Sequence, residues 1–230
     1  MRLFRRLHFG SLVDLSALDT RQFRSDQACN GVSTTGCAAA AEPSRTILGT
    51  EQERWLFEQL ETVKATWTVI GQQVPTFARN MVRAAPHAQF SMDKWDGYAA
   101  SRQRLYAHLR DTRAPNPVVL SGDVHMHYGA DLKMDFADLR SETVGVEFTN
   151  TSVTSGGDGA DVSATWEQIR PDNPHIRYHS ARRGYIACTA TPAHLRADFK
   201  IFDRVTVPDA PERTGASLVV EAGRPGLSAG

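Results

Sequence analysis

The chain has 230 residues, 41% hydrophobic and 23% charged, enough for one domain with a sizeable core. Lysines and arginines number 26 and so do aspartates and glutamates, so no net field draws it to nucleic acid or to an anionic membrane. No apolar run approaches the roughly 18–20 residues of a membrane-spanning helix, so neither nucleic acid nor membrane is an expected partner.

Met1-Arg2-Leu3-Phe4-Arg5-Arg6 resembles the start of a twin-arginine leader. Asp14 and Asp19 interrupt the stretch where an apolar segment should run, so Arg5-Arg6 reads as mature sequence without a signal peptide, and the location stays undetermined. Residues 11–20 mix Leu12, Val13, Leu15 and Leu18 with polar positions, as a strand feeding a loop does. Residues 25–46 are rich in Gly, Ser, Thr and Ala and read as a long surface loop, either functional or stapled. Cys29 and Cys37 lie in that loop and either close a disulfide, which implies an oxidising compartment, or stay free. Cys188 sits in an apolar stretch and reads as core; with no Cys-x-x-Cys spacing, a zinc ribbon is not expected.

Thr50-Glu51-Gln52-Glu53 has the form of a capping box, with Thr50 as N-cap, and predicts a helix over 51–64 with Leu56, Leu60 and Val63 on one face. A buried strand over 66–72 follows. Asp96 is the expected cap of a second helix over 97–112, whose inner face carries Tyr98, Leu105 and Leu109. The apolar run at 117–121 is the next strand. Helix and buried strand, twice over, is α/β logic. Past residue 130, Val144, Val146 and Phe148 alternate with Gly145, Glu147 and Thr149, which predicts a strand over 144–149 with one wet face. Tyr185–Thr189 and Ala197–Val207 read as two more strands around Pro192, making the second half mostly antiparallel β. The Pro-, Gly- and Ala-rich residues 208–230 are expected to form a loosely ordered tail on a domain spanning 1–207.

The segment richest in chemistry is Ser121-Gly122-Asp123-Val124-His125-Met126-His127. It follows a buried strand, and ligands bind beyond the carboxyl ends of strands in open α/β sheets. In extended backbone Asp123 and His125, two apart, would point the same way, and a carboxylate beside an imidazole suits a metal cation. His127 is a candidate for orienting such a ligand. Arg21, Arg24 and Arg183 carry forked donors that suit phosphate, and His175 is a candidate pocket residue. Trp95 and Tyr98 read as core anchors, and Ser152 and Ser155 as strand and turn residues rather than nucleophiles.

Several strings occur together in order: Leu18-Asp19-Thr20-Arg21-Gln22-Phe23-Arg24, Ile47-Leu48-Gly49, Trp95-Asp96-Gly97-Tyr98, Ser121-Gly122-Asp123-Val124-His125, Phe148 to Gly157, Asn173-Pro174-His175 and Arg183-Gly184-Tyr185. On these the chain resembles the alkaline phosphatase D (PhoD-like) metallophosphatases over nearly all of residues 1–207. The resemblance implies half of a calcineurin-like β-sandwich flanked by helices. It also implies exported enzymes that hydrolyse phosphate monoesters and diesters with iron and calcium ions. It maps Asp123 and His125 onto the family's late metal-binding motif, with aspartate in place of the first histidine of His-x-His. The family's earlier motifs, an Asp with a Cys, an Asp with a Tyr, and an Asn, have no counterpart in these residues; Asp26 and Cys29 already match another part of the pattern. The chain therefore reads as a carboxyl-terminal half with an incomplete metal site. Two other readings stay open: a subunit that pairs with a separate amino-terminal half, and a non-catalytic binding module.

Overall fold

The computed structural model describes residues 1–83 and 88–230. In chain order it forms strands β1 (Arg5–Phe9) and β2 (Val13–Ala17), the short β3 (Thr34–Thr35), helix α1 (Thr50–Leu60), β4 (Trp67–Gly71) and the short β5 (Gln89–Phe90). Helix α2 (Ala99–Asp111) then leads to β6 (Pro117–Ser121), β7 (His127–Lys133) and β8 (Thr143–Thr149). Helix α3 (Ala164–Ile169), β9 (Ile176–Ser180), β10 (Arg183–Ala190), β11 (His194–Phe202), β12 (Glu212–Glu221) and β13 (Arg224–Ala229) complete the order.

The main sheet has seven strands in the order β1-β2-β4-β6-β8-β7-β9. β2, β4, β6 and β8 run parallel, the first three linked through α1 and α2, because parallel neighbours need a crossover and a helix supplies it. β10 to β13 form a second, antiparallel sheet. The alternation of side chains across each strand divides the interior in two. Ile70, Val119, Tyr128 and Ala130 meet the helices on one face, with Leu56, Leu105 and Tyr106. Val69, Val118, Val146 and Phe148 meet Phe199, Leu218 and Val220 of the second sheet on the other. The Trp67 indole, fully buried, donates 2.6 Å to the Thr191 carbonyl and pins the two sheets together.

Both helices form around the expected apolar faces, but α1 stops at Leu60, four residues short of the expected end, so Val63 lies beyond it, and the starts of both helices also differ from expectation. Thr50 is the first residue of α1 rather than its cap, and Gly49, at φ 74°, precedes it. A Cβ there would lie 2.8 Å from the Phe23 Cβ, so the close approach calls for glycine. Thr46 Oγ1 accepts the Gly49 amide instead, and Glu53 turns to Arg104, at 2.7 and 2.9 Å, and to Ser101. Asp96 does not cap α2 either: it is buried in the 3-10 turn before it, where Arg102 donates 2.5 Å to its carboxylate. Tertiary ion pairs won over local caps in both places.

Three further expectations are corrected. Residues 208–230 are no loose tail: β12 and β13 make a hairpin whose Leu218, Val220 and Leu227 are buried against the main sheet. The alternation of Leu218 and Val220 was masked by flanking Gly, Pro and Ala, while Gly223, at φ 78°, turns the hairpin. Strand β8 has no wet face, because helices cover the side that carries Glu147. Cys188 lies exposed on β10, at the edge of the second sheet, and is not core.

The loop at 25–46 is stapled by a Cys29–Cys37 disulfide. Closing a loop of eight residues' separation removes unfolded-state entropy worth about 2–3 kcal/mol in the chain-entropy account. A Cys29→Ser/Cys37→Ser double variant is expected to lose about that much in urea denaturation, and thiol labelling of the unreduced protein should modify Cys188 alone.

Candidate functional site

The parallel strands all end at one edge of the main sheet, and the polar side chains gather there. β2 leads to Asp19, Thr20 and Arg21, β4 to Gln72 and Gln73, β6 to Gly122 and Asp123, and β8 to Asn150. The loops are tied to one another. Gln73 Oε1 accepts the Thr20 amide at 2.7 Å, the Gly122 amide donates 3.1 Å to the Gln73 carbonyl, and the Asn150 amide donates 2.8 Å to the Ser121 carbonyl.

On this frame, Asp123 is not in extended backbone. It has φ 73° and His125 has φ 55°, both left-handed, with the Val124 amide turned back to the Gly122 carbonyl at 2.9 Å. The segment is a tight turn, so the two-apart alternation argument does not describe it; aspartate tolerates the left-handed region better than most residues. Arg21 Nη2 donates to the Asp123 carboxylate at 2.6 Å, and Lys94 Nζ pairs with its other oxygen. Behind them stands Asp93. It accepts from Arg21 at 3.0 Å, Arg24 at 2.8 Å and Lys94 at 3.0 Å, and from the side-chain Nε2 of Gln27. Burial works against its ionisation, but the donors from Lys94 and Arg24 outweigh that and hold its carboxyl down at about 2. Three cations thus share two carboxylates.

Arg21, a candidate for contacting phosphate, is thus paired with both Asp123 and Asp93. Arg183 meets the same turn differently. It is buried, and its Nη1 donates 2.7 Å to the His125 carbonyl. His127 and His175 lie elsewhere. His127 is fully buried in the layer between the sheets, edge-on to Phe199 with centroids 5.3 Å apart, and burial pushes its pKa down to about 4. His175 Nε2 lies 2.7 Å from the Ala78 carbonyl, its ring packs against Phe136, and burial likewise pushes it to about 4. Both are neutral core histidines near pH 7. Trp95 and Tyr98 are fully buried, as anchors should be.

Asp93 and Lys94 carry no spacing that marks them in the sequence, and alternation assigns Glu147 to solvent. Glu147 is fully buried under the site edge. Its carboxylate accepts from Ser121 Oγ at 2.5 Å, from the amides of Thr76 at 2.9 Å and Phe77 at 3.3 Å, and from the Thr76 hydroxyl.

Among the described residues, no three His, Cys, Asp or Glu side chains gather as a metal site. Asp123 and His125 are the right donor types for the edge of such a site, but one carboxylate and one imidazole do not hold a metal pair by themselves.

A family model described as PhoD-like phosphatase matches residues 1–199. Alkaline phosphatase D of Bacillus subtilis (strain 168) is 41% identical over 227 residues, which cover 99% of this chain and 39% of that protein. A solved structure described as "Structure of PhoD" matches with a TM-score of 0.95 at 41% identity, over 100% of this chain and 44% of that one. The chain thus spans less than half the length of both relatives.

Proposed function

The chain belongs to the PhoD-like phosphatase family, and from that membership we propose that it forms part of a metal-dependent enzyme hydrolysing phosphate monoesters and diesters, to whose metal centre it contributes Asp123 and His125. The observation that carries this reading is the position of the Asp123–His125 turn at the carboxyl edge of the parallel strands, with the arginine and lysine side chains of Arg21, Arg24 and Lys94 beside it. Iron and calcium are the metals that the resemblance implies. Bound metal ions polarise phosphoryl oxygens and supply hydroxide near neutral pH. The chain's own residues would hold the Asp123 carboxylate in place and set positive charge where a phosphate ester would lie.

The remaining ligands would come from residues outside these 230, in the same polypeptide or a separate one. A free surface supports a docking role. β1 is an end strand of the main sheet, with Leu7 40% and Phe9 59% exposed, and a groove of 590 Å³ beside it combines Leu3, Leu15 and Leu120 with the polar Arg5, Arg21 and Gln22. An unpaired edge with apolar neighbours is a template for another segment. The location proposed is an oxidising compartment, which the disulfide supports.

The test is made on this chain combined with the amino-terminal part of such a phosphatase. Asp123→Ala should lower kcat/KM on a generic phosphate monoester by at least about 100-fold, since even residues that merely orient metal ligands are worth 10–100-fold. Retained activity in that variant, with metal dependence intact, would remove Asp123 from the centre.

A further inference from the structure

Arg183 is the buried cation of this site without an acidic partner. It is 7% exposed, and among the described residues no ion pair within 4.0 Å joins it to a carboxylate. All of its hydrogen bonds go to neutral oxygens. Nη1 donates to the His125 carbonyl at 2.7 Å and to Thr151 Oγ1 at 3.3 Å. Nε donates to the Gly157 carbonyl at 2.9 Å, and Nη2 to the Gly156 carbonyl at 3.4 Å. The four acceptors belong to two loops: the turn after β6 that carries Asp123 and His125, and the segment that leaves β8 at Asn150.

Burying a guanidinium on neutral oxygens alone costs desolvation that a surface arginine avoids. The planar fork repays it with geometry, because one rigid group can hold two backbone segments at a set separation, which a lysine cannot do. Neighbouring contacts keep the fork in place. The Gly184 amide donates 3.2 Å to the Ser152 carbonyl, and the Gly184 backbone runs so close to Lys200 that an added Cβ would lie 1.9 Å from its carbonyl oxygen. The start of β10 is therefore stitched between the second sheet and the loop that follows β8.

We propose that Arg183 is a positioning residue: it fixes the left-handed turn at Asp123–His125 against the 150–157 loop, and it does not bind the phosphate of a substrate. The clamp itself stands on the geometry above; its consequence for catalysis rests on the metal-site reading of Asp123 and His125. With most of its donors already engaged by the backbone, the guanidinium has little left to offer an external anion.

Hydrogen–deuterium exchange on the whole chain reads the clamp without reference to activity. In Arg183→Gln, exchange at 122–126 and 151–157 should rise at least about tenfold while exchange in β4 at 67–71 stays as in the parent, a local opening rather than a global one. Arg183→Lys should leave both loops nearly as open, since a single ammonium cannot span them. Should Arg183→Gln not fold, Thr151→Val removes one acceptor and should loosen the same two segments to a smaller extent. Unchanged protection at 122–126 in these variants overturns the proposal, and so does full restoration by lysine. The metal reading fails separately, by retained turnover in Asp123→Ala with the exchange result intact.

Discussion

Purified alone, residues 1–230 are expected to turn over neither a phosphate monoester nor a diester, with or without added iron and calcium. Calcium takes 6–8 oxygen ligands, and two-metal hydrolysis holds its ions roughly 3.5–4 Å apart with bridging groups. These residues offer Asp123 and His125, and no cluster of three ligating side chains occurs among those described. The other acid at the edge, Asp93, is committed to Arg21, Arg24 and Lys94 and stays ionised on their charge. Without ions, the catalytic contribution left is positive charge near the substrate. The assay should show background hydrolysis for the chain, and metal-dependent turnover once the amino-terminal part of a PhoD-like phosphatase is supplied. Metal-dependent turnover by the chain alone, lost in Asp123→Ala, would mean that these residues assemble a centre unaided.

Much of the fold was legible because burial in this chain follows apolar periodicity. The strands at 67–71 and 117–121 are built on the short apolar runs Val69-Ile70 and Pro117 to Leu120, and Leu105 and Leu109 repeat at helical spacing, so the α/β half could be read off directly. Where the reading failed, longer-range contacts had overridden a local rule. Glu53 and Asp96 sit where capping acids sit, yet arginines from α2, Arg104 and Arg102, claim them. The 208–230 hairpin draws its order from the main sheet: Leu227 donates its amide 2.8 Å to Asp131 of β7, a partner that no local pattern reveals. The position of Asp123 and His125 just past the β6 strand was legible, while their left-handed backbone was not. The identity of their neighbours, Lys94, Asp93 and Arg183, depends on which loops the sheet brings together.

Glu147 shows the same limit most sharply, and it carries the second large expected effect. Read as alternation it should face water; in β8 it is covered by Thr76, Phe77 and α2, with Tyr106 donating 3.0 Å to the Thr76 hydroxyl that in turn reaches the carboxylate. Burial raises its pKa to about 7, against the pull of hydrogen bonds from Ser121, Thr76 and Phe77. In the unfolded chain the same group titrates near 4.5. Between those two values the folded state therefore holds a proton that the unfolded state has lost. Stability must fall as pH rises across that window, and level off above about 7. The shift corresponds to about 3 kcal/mol. Glu147→Gln cannot ionise, so the stability of the variant minus that of the parent should climb by about that amount between roughly pH 4.5 and 7, measured by urea denaturation at stepped pH. Taking the difference removes the titration of other groups common to both proteins. Glu147→Ala is a separate matter: it strands the Thr76 and Phe77 amides and both hydroxyls, and should cost about 2–4 kcal/mol at pH 5, where the parent carboxyl is neutral. A parent-to-glutamine difference that stays flat with pH would show that Glu147 is ionised throughout. The network would then be holding a buried charge, with Ser121, at the foot of the Asp123 turn, as one of its donors.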